Sequence, residues 1–172
     1  MKIFLSISNS YRKDQKDFEC SFCRYIENLG HTYTTVSCLC DKGESPITQI
    51  ISTMHACDAV IALAFDRSHV YLEYQKELNL IQRLESRDQY YTSPWIHIEC
   101  AIANTLGKPL LVLVPEYIKT EGLLDFSQDL YPIYYISHTS NSEGLKFSIN
   151  SFDSMHELHQ IINNFLSNHK PS

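Results

Sequence analysis

Residues Leu110 to Val114 read Leu-Leu-Val-Leu-Val, a continuous apolar run rather than an alternating one. A strand with that pattern is covered on both faces, which restricts the chain to architectures that place helices on either side of a sheet. The preceding segment shows how the chain reaches that strand. Ser93 is a good helix N-cap and Pro94 suits the first helical position. Ile98, Ala101, Ile102 and Leu106 recur on one helix face. Gly107 ends the helix, and Lys108-Pro109 forbid its continuation.

The same alternation runs through the chain. Ile3 to Ser8 reads as a first strand, and Phe18, Phe22, Tyr25, Ile26 and Leu29 mark a helix stopped by Gly30. Thr32 to Ser37 reads as a second strand, Ile47, Ile50, Ile51 and Met54 as a second helix, and Asp58 to Phe65 as a third strand. A short fifth strand at Tyr131 to Ile136 carries Pro132, which suits a sheet edge. A final amphipathic helix follows from Met155 to Leu166, after a polar stretch, Ser137 to Ser151, that reads as loop. Strands alternating with helices predict a three-layer α/β domain, a flavodoxin-like five-stranded parallel sheet with helices on both faces. The expectation is one domain over 1–172, interrupted at about 66–92 by a helical insertion with apolar positions Tyr74, Leu78 and Ile81. That insertion reads equally as surface decoration or as a lid or assembly contact.

Composition excludes several functions. Net charge is −6 and no Lys/Arg-rich run occurs, which argues against a nucleic-acid surface. No apolar run approaches the roughly eighteen residues of a membrane span. The opening Met1 to Ser8 is too short and too soon polar for a signal peptide, so a cytoplasmic protein with no membrane role is expected. The six cysteines are then expected as thiols. Cys20 and Cys23 fall inside a helical pattern, and Cys38-x-Cys40 has no partner pair at zinc spacing, so no metal site is expected. His156-Glu157-Leu158-His159 lacks the spacing of the metalloprotease motif. Neither a G-x-G-x-x-G fingerprint nor a phosphate-loop Gly-Lys-Ser/Thr is present.

In an open parallel sheet, ligands bind beyond the carboxyl ends of the strands, where strand order reverses. Those ends are Ser6 to Arg12 after the first strand and Asp66 with Arg67 after the third, with the Ser93 helix start nearby. Trp95 and Glu99 are four apart and share a helix face, so an aromatic plate and a carboxylate can flank one site. Spacing alone favours the plainer arrangement, with Trp95 as core and Glu99 as a solvated helix residue. Cys100 reads as a small core residue rather than a reactive thiol, and His97 faces away from Glu99.

Four segments together resemble a TIR (Toll/interleukin-1 receptor) domain of the bacterial kind. They are Lys2 to Ser8, Asp58 to Leu63, the S-x-W-x-x-x-E helix at Ser93, Trp95 and Glu99, and the strand from Gly107 to Val114. The resemblance implies NAD as substrate, with no separate cofactor, and an NAD glycohydrolase or ADP-ribosyl cyclase activity in which Glu99 is catalytic. It further implies that Ser6, Ser8, Tyr11, Ser93 and Trp95 line the nucleotide pocket. Nicotinamide leaves as a neutral group, so such chemistry needs one carboxylate near an oxocarbenium-like ribose rather than the two of ordinary glycosidases. A stand-alone TIR of this kind is similar to the signal-producing part of antiphage systems such as Thoeris. It would make an ADP-ribose-derived messenger for a separate effector protein, and a homo-oligomer is within the family's range. The loop from Cys38 to Pro46 departs from the family's Arg-Asp…Pro-Gly pattern. The chain also resembles the nucleoside 2-deoxyribosyltransferase-like group, where a Glu on the corresponding helix is the nucleophile in N-glycosyl transfer. A non-catalytic TIR interaction module is the remaining alternative.

Overall fold

The computed structural model describes residues 1–8, 10–36, 43, 45–72, 87–125, 130–141 and 146–169. Its centre is a parallel sheet of β1 (Lys2–Ile7), β2 (Thr32–Thr34), β3 (Ala59–Leu63), β6 (Leu110–Pro115) and β7 (Ile133–Ile136), in the order β2-β1-β3-β6-β7. Between β3 and β6 the chain forms β4 (Asp66–Leu72) and β5 (Arg87–Thr92), and beyond β7 it forms β8 (His138–Asn141) and β9 (Lys146–Ile149). Among the described residues the α-helices are α1 (Lys13–Asn28), α2 (Pro46–His55), α3 (Pro94–Thr105) and α4 (His156–Asn168). This is the expected three-layer, flavodoxin-like α/β arrangement, and the strand order reverses between β1 and β3.

Each central strand is apolar on both faces because each face meets a helical layer. Ile3, Leu5, Ile61, Leu63, Leu111 and Leu113 pack with Phe18, Phe22 and Ile26 of α1 and Leu158 and Ile162 of α4. The alternate residues Phe4, Val60, Ala62, Val112 and Val114 pack with Ile50 and Met54 of α2 and Ile96, Cys100 and Ala103 of α3. By that alternation Ser6, two residues beyond Phe4, belongs to the face covered by α3. It stands opposite Ala62 in the β1–β3 register.

The Gly-Lys-Pro turn ahead of β6 has a physical role at each residue. Gly107 takes a positive φ of 63° after α3, a conformation unfavourable to residues with a Cβ. The Lys108 ammonium donates to the carbonyls of Cys57 and His55 at 2.6 and 3.1 Å, satisfying carbonyl groups at the end of α2. The carbonyl of Pro109 accepts from the Val60 amide at 2.8 Å and seats β6 beside β3. Edge strand β7 begins just after Pro132, as the missing amide requires.

Two expectations are corrected. The segment 66–92 is not a helical insertion where it is described, because β4 and β5 pair antiparallel from Asp66↔Thr92 to Leu72↔Arg87. Tyr90 is buried and stacks on His69 with ring centroids 4.5 Å apart, so cross-strand aromatic packing holds the described ends of the segment as a strand pair. Tyr74, Leu78 and Ile81 lie outside the described residues. The stretch Ser137 to Ser151 is also not simply loop, since β8 and β9 form an antiparallel pair. Its polar composition hides that pairing, which is anchored by buried Ile149 and by Phe147 stacked on Tyr117 at 4.7 Å.

Candidate active site

Beyond the carboxyl ends of β1 and β3 lies a pocket of about 480 Å³. That volume is within the range of small-molecule sites, and its place is the reversal point of the sheet. Ser8, Ser93, Trp95 and Glu99 all line it. The helix start assembles the last three. The Ser93 hydroxyl accepts from the Trp95 amide at 3.3 Å, and Pro94 opens the first turn. With α3 fixed in this way, Trp95 stands at the pocket with 43% of its surface exposed, and Glu99, one turn deeper, is only 7% exposed. The alternative of a core Trp95 and a solvated Glu99 is therefore reversed: the aromatic ring is open and the carboxyl group is covered.

Burial dominates the electrostatics of Glu99. Loss of water disfavours its charged form and raises its pKa above the ordinary 4.5, and the nearby Ser6 hydroxyl pulls partly the other way. Ser6 itself is 1% exposed. Its Oγ is the one buried side-chain polar atom among the described residues with no completed hydrogen bond. Ser6 is therefore the buried hydroxyl beside Glu99, close enough to act on the carboxylate though short of a well-formed bond, and it is not among the residues that line the pocket. Ser8 is held differently, its hydroxyl 3.0 Å from that of Thr92 at the end of β5.

Tyr11 is not brought to this pocket. It lines a separate cleft with Arg12, Lys13 and Tyr90, and its hydroxyl donates to Asp66 at 2.6 Å. Burial and that bond to a carboxylate push its pKa up to about 12. Its placement follows from Asp66, which is fully buried and draws in every donor around it. Arg12 approaches Asp66 at 3.2 Å, Gln15 donates at 2.9 Å, and the Tyr117 hydroxyl donates as well. In the sequence Asp66 stands out only as a strand end. Gln15 and Tyr117 carried no signal, because a polar helix residue and a loop tyrosine look ordinary until a buried acid collects them.

The neighbours of Glu99 on α3 play other parts. Cys100 is fully buried, and burial together with the adjacent Glu99 charge pushes its thiol up to about 12. It is a packing residue, as the sequence favoured. His97 is half-buried beside Gly122, and burial lowers its pKa. Of the expected loop from Cys38 to Pro46, Cys38 and Cys40 lie outside the described residues, and Ser45 caps α2 through the Thr48 amide.

No protein-family model and no curated protein match the chain. Among solved structures, it is similar to the CMP N-glycosidase of Clostridium botulinum, at 16% identity and a TM-score of 0.52, covering 96% of this chain and 100% of that one. What the likeness shows is the fold. Two further structures are similar at lower scores. One is the sugar isomerase domain of an RpiR transcription factor from Sphaerobacter thermophilus, at 10% identity and a TM-score of 0.48, covering 98% of this chain and 70% of that one. The other is a 2-deoxyribosyltransferase from Bacillus psychrosaccharolyticus, at 15% identity and a TM-score of 0.45, covering 79% of this chain and 100% of that one. Among the described residues no helix is long and apolar enough to cross a membrane.

Proposed function

We propose that this protein is an N-glycosidase-like enzyme that cleaves, or transfers across, the N-glycosidic bond of a nucleoside or nucleotide, with Glu99 facing the anomeric carbon. The observation that carries the reading is a carboxyl group 7% exposed at a pocket on the sheet's reversal point, with the buried Ser6 hydroxyl beside it. A fold shared with a CMP N-glycosidase supports the class of chemistry. As the C1′–N bond breaks, its electrons leave with the base, which takes up a proton from water, and positive charge develops on the ribose. A carboxylate in a water-poor site stabilises that charge far more than one in bulk water. Glu99 can also close on C1′ to form a glycosyl ester as the base departs, which water or the ring N–H of an acceptor base then opens, the proton passing to solvent and the carboxylate being regenerated. Ser8 and Ser93 are polar groups of the wall that can hydrogen-bond to the nucleotide.

A second reading, that the nucleotide is NAD, is favoured by Trp95, whose open ring four residues before Glu99 can stack on a planar base. In that case nicotinamide leaves neutral and no proton donor is required. The product would be an ADP-ribose-derived nucleotide able to serve as a messenger to a separate effector, in line with the TIR resemblance of the Ser93–Glu99 helix.

The experiment is chromatographic and mass-spectrometric detection of free base from a panel of nucleoside monophosphates, their nucleosides and NAD, with wild type beside Glu99→Gln. Base release that depends on Glu99 is expected. If the Glu99→Gln protein releases base as fast as wild type, or if wild type cleaves no member of the panel, the reading fails.

A further inference from the structure

We propose that Arg67 is the anion-recognising residue of this pocket and that the site therefore selects phosphorylated nucleosides over free ones. The inference rests on the reading of the pocket given above. Its geometrical basis is an irregularity in the β4–β5 pairing. Asp66 pairs with Thr92 and Ser68 pairs with Tyr91, so Arg67 is an extra residue with no opposite number. Such a bulge breaks the alternation of faces and re-aims a side chain, and bulges of this kind concentrate beside active sites. Here the residue before it is pinned: Asp66 is fully buried under Arg12, Gln15, Tyr11 and Tyr117. Beside the bulge, Asp66 points into that network while Arg67 lines the pocket.

Charge makes the placement consequential. Arg67 is the only cationic residue among the described residues that line the pocket, whose other charged members are Glu19 and Glu99. Glu19 already accepts from the Ser10 hydroxyl at 2.8 Å. Arg67 makes no ion pair or side-chain hydrogen bond with any described residue, so its donors remain available. A neutral nucleoside gains little from an arginine at that position. A phosphate gains a planar, permanently charged fork that can bind two oxygens at once, in a site whose other charges repel it. Neither the carboxylate chemistry nor the apolar wall needs a guanidinium, so anion recognition is the use that fits.

The test measures binding of nucleoside 5′-monophosphates, NAD and the matching nucleosides to the full chain by calorimetry, in wild type, Arg67→Gln and Arg67→Lys. Wild type is expected to bind a nucleotide at least about tenfold tighter than its own nucleoside. Arg67→Gln should remove most of that preference, and Arg67→Lys should keep part of it, with the preference weakening as salt rises. The proposal is overturned if nucleosides bind as tightly as nucleotides, if the preference survives Arg67→Gln, or if no nucleotide binds. Binding separates this inference from the catalytic one. A phosphate preference without base release would sink the N-glycosidase reading alone, and base release indifferent to phosphate would sink Arg67 alone.

Discussion

Removing the Asp66 side chain should destabilise the protein more than any change at the pocket surface. The carboxylate is fully buried and takes donors from four residues, so Asp66→Ala strands its partners rather than merely deleting a contact. The partners are not equal. Tyr11 is 57% exposed and its hydroxyl can return to water. The Arg12 side chain is 22% exposed and keeps Asp14 at 2.5 Å, so its share is discounted. Gln15 is fully buried; its amide loses the 2.9 Å bond to the Asp66 carboxylate but keeps a 3.3 Å bond to the Asp66 carbonyl, so its share falls at the lower end of about 1–3 kcal/mol. Breaking a buried charge pair from one side typically costs about 3–5 kcal/mol, and the exposure of Arg12 and Tyr11 places this site at the lower end, about 3 kcal/mol. For a domain of this size that is roughly a 6–12 °C fall in Tm. Urea unfolding at constant m and thermal unfolding both read it. A loss below about 1 kcal/mol would mean that the network contributes little and that the bulge at Arg67 is held by something else.

Two further outcomes follow from burial. Glu99 has a raised pKa in the fold, so the native state holds its proton more tightly than the unfolded chain does, and the stability this confers at low pH is lost as pH rises from the ordinary 4.5 through the raised value. The Tm advantage of Glu99→Gln over wild type should therefore grow across that window and then level off, and an advantage independent of pH would contradict the desolvation of Glu99. Cys100, with a thiol near pKa 12 and no exposure, should resist iodoacetamide until the protein unfolds, while exposed Cys20 reacts at once. Labelling of native Cys100 by peptide mass mapping would refute its place in the core.

The centre of the sheet was legible because β1, β3 and β6 are buried on both faces. Runs such as Leu110 to Val114 and Asp58 to Phe65 carry that burial in composition, and Gly107-Lys108-Pro109 punctuates the turn between helix and strand. The two antiparallel pairs were hidden for the opposite reason. His138 to Asn141 is all polar, and Asp66 to Leu72 and Arg87 to Thr92 are mixed polar stretches, whereas their pairing depends on distant aromatics such as Tyr90 and Tyr117. Glu99 was legible as a candidate from Ser93, Pro94 and the four-residue spacing to Trp95. Which of the two would be buried was not, because that depends on how α3 sits over Ser6 and Ala62. Tyr11 was misplaced for a similar reason: loop position brings it near the end of β1, but Asp66 decides where its hydroxyl goes.

The central claim, that a desolvated Glu99 supports the developing ribose cation, is tested most directly by single-turnover base release from the best nucleotide with wild type and Glu99→Gln. At about 4 Å and the effective dielectric of a partly buried site, a carboxylate stabilises a unit charge by about 4 kcal/mol, against about 1 kcal/mol in bulk water. Since each tenfold in rate is about 1.4 kcal/mol, the buried carboxylate corresponds to a loss of roughly a thousandfold on substitution, and a solvated one to about fivefold. A fall of that larger size, with nucleotide binding retained, is the expected result. A fall of less than about tenfold would show that Glu99 does not face the reacting carbon and would contradict the assignment.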